Sequence, residues 1–241
     1  MNKALFGRVV RREDLTAADI GEQYELFHRH YHAVDRARFE QDLEQKHHVL
    51  VLTDEDGKLR GFTTIRVDDW VHEGRPLRTV FSGNTVIDQA YWGSQELGRT
   101  WCRFMAGLKN SSPELPLYWH LICSGYRTYL YLPLFFREFY PRIDRATPPD
   151  RASLIDALGR RTSPEEYRNG VVRVTRPRDR LRGELAVPPS RKRLNPHVRF
   201  FLERNPGYRR GDELVCLAEF AWGNLRRRTL RLLESTARRS G

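Results

Sequence analysis

Cysteine is scarce in this chain, and none of it is placed to pair. Cys102, Cys123 and Cys216 are odd in number and widely spaced, with no C-x-x-C among them. Neither a disulfide framework nor a cysteine zinc site is expected, and apolar neighbours predict buried, reduced thiols. No run of apolar residues is long enough to span a bilayer. The start, Met1-Asn-Lys-Ala-Leu-Phe-Gly-Arg8, has no signal-peptide core; the expectation is a cytoplasmic protein with no membrane partner. Internal repeats and low-complexity stretches are absent. So are a G-x-S-x-G elbow, a P-loop, a Rossmann fingerprint and any recognisable Ser-His-Asp arrangement. No helix-turn-helix, zinc finger or RRM signature argues for a nucleic-acid-binding module. His28 and His32 stand one helical turn apart, but the glutamate of H-E-x-x-H and a third ligand are missing, so no metal site is predicted.

What is present is enough chain, 241 residues, for one large α/β domain with a sizeable core. Lysine is rare beside arginine, and the net charge of +11 is unevenly spread. Residues 1–159 carry 21 basic and 22 acidic side chains, whereas residues 160–241 carry 21 basic and 9 acidic, a balance of +12. Such asymmetry suggests an anionic partner: an acidic protein, a nucleic acid or a phosphate-bearing cofactor. Arginine-rich composition by itself is the plainer explanation.

Hydrophobic spacing predicts a strand over Phe6–Arg12 and a helix from Leu15 to Ala33 capped by Thr16 or Asp14. A second helix capped by Asp35 turns Phe39 and Leu43 inward. His48–Thr53 and Leu59–Val67 read as a hairpin around Asp54-Glu-Asp-Gly57, and Leu77–Ile87 as a further strand. A helix follows from about Gln95 to Leu108, with Leu97, Trp101, Phe104, Met105 and Leu108 as its inner stripe. Next come the strand Leu117–Cys123 and an aromatic segment, Tyr126–Tyr140, whose helix is kinked by Pro133 or begins there. Beyond Pro141 the pattern is loop-rich over Thr147–Pro149 and Pro177–Pro189. It predicts helices at Ser153–Leu158, Asn195–Arg204 and Asn224–Ser235, and a last strand at Glu213–Phe220. Residues 1–141 read as a core, and 142–241 as a basic continuation of the same domain.

Chemistry concentrates in Phe81-Ser-Gly-Asn-Thr-Val-Ile-Asp-Gln-Ala-Tyr-Trp-Gly-Ser-Gln-Glu-Leu-Gly-Arg99. A strand running through a glycine-punctuated turn into a helix aims backbone N–H groups and a positive dipole end at one point, a generic site for phosphate. The stretch resembles the cofactor motif of the GCN5-related N-acyltransferases, in which Val-x-Pro leads into Arg-x-x-Gly-x-Gly and a helix. Gly93 and Gly98 match, while Ser94-Gln95-Glu96 fills the loop where the family has another glycine and a basic residue. The element order over residues 5–141 and the hairpin Gly57-Lys-Leu-Arg-Gly-Phe62 are similar too. The long N-terminal helical pair is closer to the acyl-homoserine-lactone and N-acyl amino acid synthase branch.

The resemblance implies a mixed, mostly antiparallel α/β sheet with helices on both faces, splayed at the cofactor strand. It implies transfer of an acyl group from a pantetheine thioester to an amine-bearing small molecule, with no tightly bound cofactor. The donor would be acyl-CoA or an acyl-phosphopantetheine on an acyl carrier protein, held by Val86, Ile87, Gly93, Ser94, Gln95, Gly98 and Arg99. The poorly basic loop and the basic C-terminal third favour the acidic carrier protein. An aminoacyl-tRNA donor, or a non-catalytic nucleic-acid-binding role, would also use the basic region. In the family an Asn at the strand end is followed seven residues later by a Tyr that protonates the leaving thiolate. Counting seven from Ser124 gives Tyr131, a phenol suited to donate while neutral. Pro133 disturbs this helix, so Tyr129 is a rival, and packing alone is the third reading. His120, on the strand beside the donor, is the candidate base; a buried, hydrogen-bonded histidine is the alternative.

Overall fold

The structure, a computed structural model, describes residues 4–175 and 179–237; Met1–Lys3 and Pro177 of the predicted loop lie outside these. In chain order the first half holds β1 (Phe6–Arg11), α1 (Ala17–His30), β2 (Tyr31–His32), α2 (Arg36–Glu44), β3 (His48–Thr53), β4 (Leu59–His72), β5 (Arg75–Ile87), α3 (Glu96–Ser111) and β6 (Leu117–Cys123). Then come α4 (Tyr126–Tyr129), α5 (Tyr131–Phe135), α6 (Pro149–Thr162), β7 (Tyr167–Arg168), β8 (Val171–Val172) and β9 (Arg180–Leu181). The chain finishes with α7 (Gly183–Ala186), α8 (Ser190–Arg193), α9 (Pro196–Arg204), β10 (Glu213–Glu219) and α10 (Arg227–Ala237).

Eight strands pair in the order β1-β3-β4-β5-β6-β10-β8-β7, and β2 pairs with β9 apart from them. Every contact in the large sheet is antiparallel except β5 with β6. Helices cover both faces, so the expected mixed α/β sheet is present. On one face α3, α9 and α10 pack on Leu50, Ile65, Val80, Leu121 and Cys216. On the other, α1 and α2 close over Val49, Val51, Phe62 and Val86, and α6 lies over Leu77, Tyr118 and Val215. Cys102, Cys123 and Cys216 are free and buried. No helix among the described residues is long and apolar enough to cross a membrane.

Local chemistry explains the element ends. The Thr16 hydroxyl accepts from the Asp19 N–H at 3.1 Å while the Asp19 carboxylate accepts from the Thr16 N–H at 2.9 Å, a reciprocal cap on α1. Asp35 accepts from the Arg38 N–H at 2.8 Å, and Asn195 from the His197 N–H at 2.9 Å with Pro196 in the first turn. Strand β4 runs past the predicted Val67 to His72, because Trp70 and Val71 pair with Leu77 and Pro76 across a two-residue turn, Glu73-Gly74, with both φ positive. The aromatic segment breaks at Leu130 rather than at Pro133, which sits third in α5. Helix α6 extends well beyond the predicted Ser153–Leu158.

The feature that positions a site lies in β5. It pairs with β6 only from Arg78↔Leu117 to Ser82↔Leu121. There Thr64 faces Gly83 but Phe62 faces Val86, so β5 carries an extra residue, and Asn84 takes a φ of +47°. Such a bulge bends and re-aims its strand, and asparagine tolerates this conformation better than most residues. Asn84 Nδ2 donates to Asp42 of α2 at 2.8 Å. The Thr63 hydroxyl donates to the Gly83 carbonyl at 3.1 Å and, its one proton spent, accepts from Thr85 Oγ1 at 2.7 Å. Meanwhile β6 follows β10 through Ile122 and Cys123. The two parallel strands therefore part, as the resemblance implies.

Candidate active site

The gap between β5 and β6 opens into two sizeable cavities. One, of about 470 Å³, runs along Val86 and Ile87 and is walled by Trp92, Tyr126, Leu130 and Leu185. The other, of about 370 Å³, lies toward α2 and is lined by Lys46, Arg66, Phe81, Asn84 and Glu213. Tyr31, Thr85 and Thr128 line both, so the cavities meet where the strands part. Between the strands, a small crevice lined by Gly98, Trp101 and Tyr131 shares Thr85 and Thr128 with both. Because β5 has no strand partner on its β6 side after Ser82, its edge here is available to a ligand.

Tyr131 lines the larger cavity and the crevice. Its ring stacks on Phe135 with centroids 5.5 Å apart. Burial pushes the phenol up to about 12, so it stays protonated at any ordinary pH. Tyr129 faces elsewhere. It is fully buried between Phe139, Phe200 and Phe201, and its hydroxyl donates to the Pro141 carbonyl at 2.9 Å. Tyr129 is thus an anchor for the chain after α5, and its rivalry with Tyr131 has no support in the geometry.

Of the predicted donor contacts, Val86, Ile87, Gly93 and Ser94 line the larger cavity. Gln95, Gly98 and Arg99 do not. A Cβ on Gly98 would stand 2.7 Å from the Phe135 ring, so this glycine lets α3 approach α5. Arg99 Nη1 binds Glu96 at 2.6 Å. The Glu96 carboxylate also takes Arg103 and the Thr100 hydroxyl, each at 3.2 Å, and its own N–H donates to Ser94 Oγ at 3.2 Å. An internal carboxylate therefore already answers the positive end of α3, and each neighbouring guanidinium gives it one hydrogen bond. This start of a helix is built differently from a pyrophosphate cradle.

His120 is not brought to either cavity. Its side chain is buried against the Phe81 ring, centroids 5.2 Å apart, and Nε2 has no hydrogen-bond partner among the described residues. Burial, helped by the Arg66 charge, pulls the imidazole down to about 3, which keeps it neutral. That corrects the proton-accepting role expected from its strand, because a group this weakly basic and this enclosed has no contact with a substrate. His28 is exposed, stacked on Tyr24, and the described residues hold no cluster of three or more potential metal ligands.

No protein-family model matches the chain, and a search of curated proteins found no match. Solved structures similar to it include a probable N-acyltransferase of unknown function from Enterococcus faecalis, 15% identical over 52% of this chain and 31% of that one, with a TM-score of 0.41. An N-acetyltransferase of the GCN5-related family from Escherichia coli, in complex with CoA, is 20% identical over 52% of this chain and 66% of its own, TM-score 0.36. A Trypanosoma brucei acetyltransferase is 17% identical over 60% of this chain and all of its own, TM-score 0.39. The match thus spans about a third of the first structure and just under two thirds of the second.

Several site residues escaped the sequence reading. Tyr31, at the meeting point, has its hydroxyl bonded to Ser124 and its phenol pushed well above the ordinary range by burial and by the Glu213 charge. Arg127 lies over the Trp92 ring at 4.2 Å and the Tyr126 ring at 4.8 Å, and Trp92 Nε1 donates to the Ile87 carbonyl at 2.9 Å. Gly83-Asn84 within a β-branched run was the one available signal, since such a pair marks a bulge. The basic clusters also separate. Arg226 Nε donates to the Phe136 carbonyl at 2.9 Å and is structural, while Arg191 and Lys192 are exposed on α8, with Lys192 at the larger cavity.

Proposed function

We propose that this chain is an N-acyltransferase that moves an acyl group from a pantetheine thioester to an amine. The observation that carries the reading is the meeting of the two cavities at Thr85 and Thr128, where β5 and β6 part, with Tyr131 beside the junction. The pantetheine arm lies along the free edge of β5 past Val86 and Ile87, between Trp92 and Tyr126. The amine enters from the polar side. Its lone pair attacks the thioester carbonyl, the C–S bond breaks, and the Tyr131 hydroxyl gives its proton to the departing sulfur. The proton shed by the amine goes to Glu213, a carboxylate of the polar cavity whose charge acts on Tyr31. Placement of the two reactants accounts for much of the acceleration in direct transfer.

For the donor, acyl carrier protein is favoured over acyl-CoA. Glu96 answers the dipole of α3 internally, which suits a donor that needs little pyrophosphate cradling. Lys192 at the larger cavity and its exposed neighbour Arg191 suit an acidic partner. The test is mass spectrometry of products after incubation with acyl-CoA, acyl carrier protein and aminoacyl-tRNA donors and a set of amines. Transfer from the carrier protein supports the full reading. Transfer from CoA alone keeps the reaction and removes the carrier protein, and transfer from tRNA alone replaces the thioester. The absence of transfer from every donor contradicts the proposal.

A further inference from the structure

The polar cavity contains more cationic hydrogen-bonding capacity than its own carboxylates use. The Lys46 side chain is only 2% exposed, yet it lines the cavity. Of the three donors on its ammonium, one is spent, on Asp42 at 2.6 Å, and no other partner is found among the described residues. Asp42 is itself committed, since its second oxygen accepts from Asn84 at 2.8 Å. Arg66, paired across the ladder with Phe81, gives Nε to Asp68 at 2.8 Å, and its terminal nitrogens have no partner among the described residues. Lys46 Nζ lies 5.4 Å and the Arg66 guanidinium 5.6 Å from the centre of the same Phe81 ring, so both bracket one wall of the cavity. Arg38, exposed on α2, adds a third cation to this lining.

Keeping a lysine so deep is costly unless its charge and donors are answered, and one carboxylate answers only part of them. A carboxylate or phosphate on a ligand would accept the remaining donors and be held between two fixed cations. We propose that the amine acceptor carries an anionic group, a carboxylate or a phosphate, bound between Lys46 and Arg66 on the Phe81 wall, while its amine points to the Thr85–Thr128 junction. This rests on the acyltransferase reading for the direction of the amine, but the anion subsite stands independently of it.

The test needs no donor. Calorimetric titration of the intact protein with β-alanine and β-alaninamide probes carboxylate; phosphoethanolamine and ethanolamine probe phosphate. The anionic member of at least one pair should bind tenfold or more tightly than its neutral counterpart, and the pair that discriminates identifies the group. That preference should shrink at least fivefold in Arg66→Gln and in Lys46→Met. Should the second variant fail to fold, Arg66→Gln decides alone, because its side chain lies nearer the surface. Equal binding within both pairs, no binding by any of the four, or a preference that survives in the folded variants would overturn the proposal. A clear preference without acyl transfer from any donor would leave the anion subsite standing and remove the enzyme reading; transfer to amines without preference would do the reverse.

Discussion

The two cavities on either side of the strand gap are built from opposite materials. The larger is walled by Trp92, Tyr126, Leu130 and Leu185 along the edge of β5 that β6 leaves, whereas the smaller is walled by Lys46, Arg66, Asn84 and Glu213. They touch at Tyr31, Thr85 and Thr128. An apolar slot beside unpaired backbone suits an extended amide-bearing arm, and a charged chamber suits a small polar reactant. The contrast teaches that one bulge, at Asn84, lies between the two cavities and sets the point where they meet. Residues near the junction should govern the chemical step, and residues away from it binding or stability.

The sharpest break in that contrast is Tyr131→Phe. Removing the Tyr131 phenol should lower turnover by roughly a hundredfold or more, the usual scale for a general acid. The Michaelis constant for the donor should stay close to that of the unaltered protein, and steady-state kinetics at saturating acceptor would show both.

Next comes His120, a polar residue near the charged chamber that takes no part in it. The unfolded chain takes up a proton at the ordinary histidine value of 6.5, which the folded chain refuses until about 3. Folded stability associated with this group is therefore complete above pH 6.5 and is lost as the pH falls toward 3. Between pH 6.5 and 5 that loss amounts to about 2 kcal/mol at most, at about 1.4 kcal/mol per pH unit. Urea unfolding of His120→Leu at the two pH values should show a smaller acid loss than the unaltered protein. An identical loss would mean that the imidazole is not held neutral.

A smaller effect concerns the mouth of the apolar cavity. Charge reversal by Arg191→Glu together with Lys192→Glu should cut the catalytic efficiency with a carrier-protein donor about tenfold at low salt. The difference should fade above roughly 0.1 M salt, where charges are screened over about 10 Å. A CoA thioester assayed over the same salt range should respond less. Equal sensitivity of both donors would remove the carrier protein from the account.

The smallest effect is expected at Tyr129→Phe, which loses one hydrogen bond to Pro141. It should cost about 1 kcal/mol of stability, read as a shift in the urea midpoint. Activity at a temperature where the variant is folded should match the unaltered protein.

The fold was largely legible in the sequence because apolar spacing, caps and turns all pointed one way. Asp35 capping α2 and Pro196 opening α9 are local signals with local outcomes. The site was legible only in part. Val86, Ile87, Gly93 and Ser94, expected as donor contacts, line the larger cavity together because a strand leading into a glycine turn is contiguous in sequence. Tyr131 followed from a spacing carried by resemblance. Lys46, Arg66 and Phe81 meet through sheet register and an α2 contact, which no short window contains. Gln95, Gly98 and Arg99 lie outside the lining of the larger cavity for a related reason. A motif shows where a helix begins, but not that Glu96 will fold back onto Arg99 and Arg103. His120 was misplaced because a strand pattern puts it on the same face as Ile122, which lines the smaller cavity, but does not show that it lies buried against the Phe81 ring.

In the proposed reaction, acyl group and amine meet at the Thr85–Thr128 junction. The most direct measurement is turnover beside donor binding in Thr128→Phe, where the larger side chain obstructs the junction and leaves the far reaches of both cavities unchanged. The folded variant should bind the productive donor within a few-fold of the unaltered protein and form almost no acylated amine. Transfer at the unaltered rate, in a variant shown to be folded, would contradict the proposed reaction.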